Sequence, residues 1–388
     1  MPEGHTVHRL ARAFTDLFGG QALAVTSPQG RFAAGAALVS GRMLVASEAW
    51  GKQLFLGFVR PDGGASDGGV AGEADLWLRV HLGLYGAWTF STDGTAAVVH
   101  AIGAPRKRVG ERETALASAD LSEAEQDLDG PASDDTAAAD GLSGPHPAAR
   151  AADSRPWVVP APRGAVRVRV LGAHAVADLT GPTACEVITP AEKAAVEARL
   201  GPDPIQSDGG RASLAAAARA DFVARVRRSR VAVGQQLMDQ GVVAGVGNIY
   251  RAESLFRARL DPLRPGRDVD VETLGALWDD LVALMRDGAA TGAIVTTRPE
   301  DRGPAGAGPD DAGVDAAGPE AAGGAGPDGP GRRRRTRQNT DGTPGAVPSD
   351  RAFYVYHRDG LPCRVCGASV LLKELAGRNL FWCGVCQT

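Results

Sequence analysis

The chain has 388 residues, 44% of them hydrophobic, with 42 Lys+Arg against 46 Asp+Glu and a formal net charge of −4. That apolar content is enough for globular cores, and the length predicts two or three domains, because one core rarely grows past ~250–300 residues. No apolar run reaches the ~18 residues of a membrane span, the start lacks the layout of a secretory signal, and five cysteines do not make a disulfide scaffold. A cytoplasmic protein that engages no membrane is expected.

The net charge is unevenly spread. Stretches 61–75, 105–156 and 299–350 are rich in Gly, Ala, Asp, Ser and Pro and carry little apolar periodicity. Such segments bury too little apolar surface to offset their ordering entropy, so they are expected to be disordered insertions or linkers. The parts 62–75, 111–153 and 300–328 together carry −19, which leaves +15 on the other 302 residues. The bulk charge therefore does not exclude a nucleic acid. The run Arg332–Arg335 either adds nonspecific phosphate attraction or is merely solvated.

The chain opens Met1-Pro2-Glu3-Gly4-His5-Thr6. Removal of Met1 would leave Pro2 with a free secondary amine of pKa ~8, a fair fraction of it unprotonated near neutrality. A secondary amine attacking a sugar C1′ gives an iminium that is cationic without protonation, an electron sink for eliminating the neighbouring phosphate. Glu3 beside it is suited to acid/base work on the sugar ring. Pro at the first helical position and Glu in the first turn are equally ordinary helix-start signals. Next, Val7, Leu10, Ala11, Phe14, Leu17 and Phe18 share one helical face over residues 7–18.

Short strands dominate residues 20–104 and 157–180, clearest at Leu54–Phe58, Leu76–Val80 and the alternating Val166–Val170. LGPDPI at 200–205 reads as a hinge. Helices are expected over 213–228, 231–240, 249–258 and 271–287. Within VAVGQQLMDQGVVAGVGNIYRAESLF, Gly245 and Gly247 permit a close double turn and Asn248 is placed to cap the next helix. Backbone amides and an Asn side chain at a helix N-terminus suit a phosphate, although a simple helical hairpin would use the same residues.

At the C-terminal end, Cys363-x2-Cys366 and Cys383-x2-Cys386 are separated by 16 residues. Two CxxC turns at this spacing form a four-thiolate site for one structural Zn2+, with no position left open for chemistry. Between them, Ser369–Leu375 and Asn379–Trp382 are expected as strands joined at Gly377–Arg378. Arg378 is then either a DNA phosphate contact or a solvated turn residue.

Taken together and in this order, PEG, GKQLF, HLGLYG, LGPDPI, DQGVVAGVGNIYRAESLF and GRNLFWCGVCQT resemble the formamidopyrimidine-DNA glycosylase/endonuclease VIII family. The opening PEGHTVHRLARAF is more similar to its endonuclease VIII branch, of actinobacterial type. The resemblance implies an α+β multidomain fold: an N-terminal helix plus β-sandwich over 1–205, a helix-two-turn-helix domain over 206–298, a linker over 299–350 and a zinc β-hairpin over 351–388. It implies a monomeric DNA glycosylase/AP lyase of base-excision repair acting on damaged double-stranded DNA, directed at oxidised pyrimidines. Pro2 would be the Schiff-base nucleophile, Glu3 the proton donor and acceptor, and Lys52 an aid to β-elimination. Asn248 and Arg378 would bind phosphate, with Arg378 also serving δ-elimination. Leu84 and Tyr85 would fill the void left by a flipped base. Gly83 stands where better-known endonuclease VIII enzymes carry Gln. An AP lyase with weak glycosylase activity and a catalytically inactive damage-binding protein are the competing readings.

Overall fold

The computed structural model describes residues 2–61, 73–95, 99–103, 114–115, 157–206, 212–302 and 347–388. Most of the three composition-biased stretches, with Arg332–Arg335, lies outside the described residues. Their margins are not all irregular: Thr114–Ala115 adds a short strand, and Pro299–Arg302 forms one helical turn whose Asp301 accepts a hydrogen bond from the Tyr354 hydroxyl.

Helix α1 (Gly4–Phe18) leads into β1 (Ala24–Thr26), α2 (Ala33–Val39), β2 (Met43–Trp50), β3 (Gln53–Val59), β4 (Leu76–His81), β5 (Ala87–Thr92), β6 (Val99–Gly103) and β7 (Thr114–Ala115). Strands β8 (Val166–Leu171), β9 (Ala175–Thr180) and β10 (Ala184–Ile188) complete two antiparallel sheets, ordered β1-β8-β9-β5-β6-β7 and β10-β4-β3-β2. The Val-Arg-Val-Arg-Val alternation of β8 sends Val166, Val168 and Val170 inward, while Arg169 pairs with Asp178 at 3.1 Å. Leu54, Leu56, Phe58, Leu78 and Val80 face Trp88, Phe90, Val168, Val170 and Leu179 in one core. The apolar face of α1 closes that core, with Phe14 edge-on to Trp88 at 4.8 Å.

After α3 (Pro190–Glu197) comes the LGPDPI segment, expected as a hinge but buried and pinned from both sides. Gly201 N–H donates to Gln240 O at 2.8 Å, Ala244 N–H to Pro202 O at 3.0 Å, and Gly51 N–H to Asp203 Oδ2 at 2.6 Å. The helical domain follows as α4 (Ala212–Arg227), α5 (Val233–Gln236), α6 (Asn248–Arg257) and α7 (Val271–Thr291), packed around Phe222, Tyr250, Trp278 and Leu281. The helix expected over 231–240 is only one turn; beyond Gln236 the chain proceeds through tight turns to Asp239. No helix among the described residues is long and apolar enough to cross a membrane.

Strands β11 (Leu371–Leu375) and β12 (Arg378–Trp382) make the terminal hairpin. Its turn is Ala376–Gly377, both left-handed at φ 51° and 72°, so Arg378 belongs to the strand opposite Leu375 and not to the turn. Glu253 of α6 holds the incoming segment. Its fully buried carboxylate accepts from the backbone N–H of Tyr354 at 2.7 Å, Val355 at 2.8 Å and Tyr356 at 2.7 Å, and from the Thr296 hydroxyl. Truncation strands three buried donors at about 1–3 kcal/mol each. Glu253→Ala is therefore expected to lower unfolding stability by at least about 3 kcal/mol, measured by urea denaturation; a loss under about 1 kcal/mol would contradict this account.

Candidate active site

Glu3 is the N-cap residue of α1 in extended conformation, but its side chain does not serve its own helix. The carboxylate crosses to α6, accepting from Gly247 N–H at 2.9 Å, Ile249 N–H at 2.8 Å and Tyr250 N–H at 3.4 Å. Alongside, Gly4 N–H donates to Gly245 O at 2.8 Å. The PEG and AGVGN motifs are thus two halves of one contact. Gly245 is left-handed at φ 89°, and a Cβ on Gly247 would lie 2.4 Å from Glu3 Cδ, so the approach requires glycine.

This corrects two expectations. Asn248 does not cap α6; Gly247 occupies the cap position and Glu3 supplies the acceptor. Pro2 and Glu3 precede α1, which begins at Gly4, so they are not its first turn. Pro2 is buried beside Glu3, which is 2% exposed. Burial raises the Glu3 pKa, opposed by the Lys52 charge and the N–H groups of α6. His5, edge-on to Tyr250 at 5.5 Å, is held neutral by burial, its pKa pushed down to about 3.

Lys52 lies in the β2–β3 turn and is 7% exposed. Asp203 fixes this turn through Gly51 N–H and accepts on the same oxygen from His8 Nε2 at 2.8 Å. Lys52 also acts on His81, whose pKa is lowered by burial and then by the Lys52 and Arg79 charges. Sequence reasoning passed over His81. Its signal is the register of β4, which sets His81 opposite Gln53, the residue after Lys52.

Asn248 is anchored to the hairpin: its Nδ2 donates to Asn379 O at 3.0 Å and its Oδ1 accepts from Arg251. Arg251, also missed, is fully buried and donates to Asn379 O at 2.8 Å. Burial, opposed by the Glu3 charge and aided by that of Arg378, pulls its pKa to about 10, which leaves it cationic at neutral pH. Two like-charged guanidinium groups beside the N-terminus of a ten-residue helix favour an anion. Leu84 and Tyr85 do not pack inside the sandwich. They stand 46% and 51% exposed in the β4–β5 turn. Gly83 is left-handed at φ 66°, and a Cβ there would meet Thr183 Oγ1 at 1.7 Å, so no side chain fits that position.

The sulfurs of Cys363, Cys366, Cys383 and Cys386 all lie within 4.8 Å of one another, with Cys363–Cys386 at 3.9 Å and Cys366–Cys383 at 3.5 Å. Four thiolates ~2.3 Å from one tetrahedral Zn2+ would stand ~3.8 Å apart, so the residues fit that ion.

Comparison with known proteins agrees with this geometry. Residues 200–299 match the formamidopyrimidine-DNA glycosylase H2TH domain, and 360–388 match a zinc finger found in FPG and IleRS. Endonuclease 8 1 of Mycobacterium tuberculosis is 36% identical over 391 residues, covering 100% of both chains. Formamidopyrimidine-DNA glycosylase of Thermus thermophilus is 30% identical over 189 residues, 49% of this chain and 54% of that one. In fold, the chain is similar to the crystal structure of the MutM (FPG) protein from Thermus thermophilus, with TM-score 0.55 and 19% identity over 100% of this chain and 98% of that one. A complex of Lactococcus lactis Fpg with abasic-site DNA gives TM-score 0.55 at 16% identity, covering 99% of each chain. With a buried Glu3 on the H2TH helix and a full-length relative at this identity, the chain belongs to the formamidopyrimidine-DNA glycosylase/endonuclease VIII family of DNA glycosylase/AP lyases, on its endonuclease VIII-like branch.

Proposed function

We propose that this enzyme excises oxidised pyrimidines from double-stranded DNA and then cleaves the strand, using its N-terminal proline as nucleophile. The observation that carries the reading is the Glu3 carboxylate, buried on the first turn of α6 next to Pro2 and within the field of Lys52. The pyrimidine preference is supported by the full-length similarity to endonuclease 8, whereas the formamidopyrimidine-DNA glycosylase of Thermus thermophilus matches about half the chain.

A nucleotide flipped from the duplex brings C1′ to the protein surface. With Met1 removed, the Pro2 nitrogen bonds C1′ as the bond to the damaged base breaks. Glu3 protonates the ring oxygen, the ring opens, and the nitrogen becomes an iminium. Loss of a C2′ proton then expels the 3′ phosphate by β-elimination, and a second elimination expels the 5′ phosphate. Lys52 stabilises the departing charge. Asn248 and Arg378, with Arg251 behind them, hold the backbone phosphate, and Arg378 assists δ-elimination. Leu84 and Tyr85 enter the stack where the nucleotide left. One structural Zn2+ on the four cysteines keeps the Arg378 hairpin folded. No other cofactor is required, and one chain suffices.

Borohydride should trap a covalent adduct between the Met1-processed protein and abasic DNA, read by gel shift and intact mass. Retention of Met1 should abolish trapping, and absence of an adduct with the processed protein would overturn the reading. Glu3→Gln is expected to cut release of thymine glycol or dihydrouracil at least about 100-fold, the scale of one positioned acid. Cleavage of preformed abasic sites, which already exist partly as open aldehydes, should fall far less. Equal losses would remove Glu3 from ring opening. Chelation of the zinc should abolish binding to abasic duplex while leaving the sandwich folded, seen by anisotropy and near-UV circular dichroism; unchanged binding would free the hairpin from this role.

A further inference from the structure

The β2–β3 turn consists of Gly51 and Lys52 alone, between the paired Trp50 and Gln53. Gly51 is left-handed at φ 58°, as the first residue of a tight hairpin turn often is, so its backbone fixes where Lys52 starts. Trp50 Nε1 donates to Gly201 O at 3.1 Å and Gln206 Nε2 to Ala49 O at 2.6 Å, which holds the strand leading into the turn. The first amide of the turn itself, Gly51 N–H, goes to Asp203 Oδ2 at 2.6 Å. A Cβ on Gly51 would lie 2.9 Å from Gly245 N, so the turn is seated on the loop that also receives Gly4.

Asp203 uses both carboxylate oxygens. Oδ1 accepts from Ile205 N–H at 2.8 Å, and Oδ2 accepts from Gly51 N–H and from His8 Nε2, the latter at 2.8 Å. The Asp203 side chain is fully buried and that of His8 is 11% exposed, so water does not readily replace a missing donor. His8 lies on α1, one turn beyond Gly4. The helix that follows Glu3 thus reaches, through His8 and Asp203, the turn that carries Lys52, and the Lys52 charge acts on Glu3 in return. Val7, Leu10, Phe14 and Phe18 already anchor α1 in the sandwich core. A buried His–Asp pair is weak evidence for added stability, which points to a positional role instead.

We propose that His8 is a positioning residue for Lys52: by donating to Asp203 it keeps that carboxylate on Gly51 N–H, and so holds the lysine in register with Glu3. The proposal rests on the reading that Lys52 assists elimination. Without the His8 donor the buried carboxylate lacks a partner and turns from Gly51, and the turn loses its seat. A misplacement of about 1 Å in a group acting on the transition state costs up to about 100-fold in rate.

The test compares His8→Met with His8→Gln, which are similar in size and helix propensity but differ in that only Gln can donate. Each is made in the wild-type and Lys52→Ala backgrounds, with Tm recorded in parallel. Cleavage of a duplex carrying a preformed abasic site is followed in single turnover. His8→Met should slow it about tenfold in the wild-type background, but less than about twofold where Lys52 is already absent. His8→Gln should return to within about threefold of wild type, because its amide restores the donor. A residue that only stabilises the fold would give the same loss in both backgrounds, and that outcome overturns the proposal. A His8→Met rate within about twofold of wild type, or a His8→Gln rate no better than that of His8→Met, overturns it as well. Lys52→Ala alone separates the two readings. If it matches wild type, Lys52 is removed from elimination and this proposal falls with it. If it is slow while His8→Met is indifferent, this proposal alone is lost.

Discussion

The site depends on one carboxylate. Glu3 sits out of water, where an isolated charge would be costly, and three N–H groups of α6 with the positive end of that helix offset the cost. The bond joins residues 244 positions apart, so the Glu3 carboxylate of the β-domain is positioned by the helical domain. Separating the two domains would expose the carboxylate and strip the helix of its cap. The buried carboxylate and the docked domains are therefore one structural state. Gly4, Gly245 and Gly247 follow from the same contact, because side chains there would hold the two backbones apart.

The parts legible in the sequence were those whose signal is local. The α1 stripe, the Val/Arg alternation of β8 and the paired CxxC turns each declare themselves within a short stretch of chain, because one element contains the whole pattern. Asn248 shows the limit. Its type and place suit a cap, but a better acceptor arrives from the other end of the chain, and the amide is released to bind the hairpin. The burial of Lys52 has no local signal either, because nothing nearby reveals that Gly51 docks on the LGPDPI segment through Asp203. That segment read as a hinge for the same reason: its Pro and Gly signal a break in secondary structure, and burial between two domains is decided elsewhere.

Arg251 and Glu253 were hidden differently. Both lie inside a helix, where alternating charge normally means a solvated face, yet both are fully buried. The zinc hairpin causes this. It packs over α6 and turns a surface stripe into an interior one, with Glu253 receiving the chain before the hairpin and Arg251 receiving Asn379. The metal module is thus more than an appended finger, since its docking converts one helix face into a buried, positively charged floor.

That floor is electrostatically unfavourable by itself. Burial disfavours the charged form of Arg251, and the neighbouring Arg378 guanidinium disfavours it further. Folding brings two cations together beside a helix terminus that is already positive. An anion placed there would offset all three at once. The Glu3 carboxylate offsets part of this at Arg251, while its oxygens accept from the amides of Gly247, Ile249 and Tyr250. The helix terminus is consequently divided: its inward N–H groups hold the Glu3 carboxylate, and its outward side chains Asn248 and Arg251 hold the hairpin at Asn379 O. One helix end thereby joins the start of the chain to its terminal hairpin.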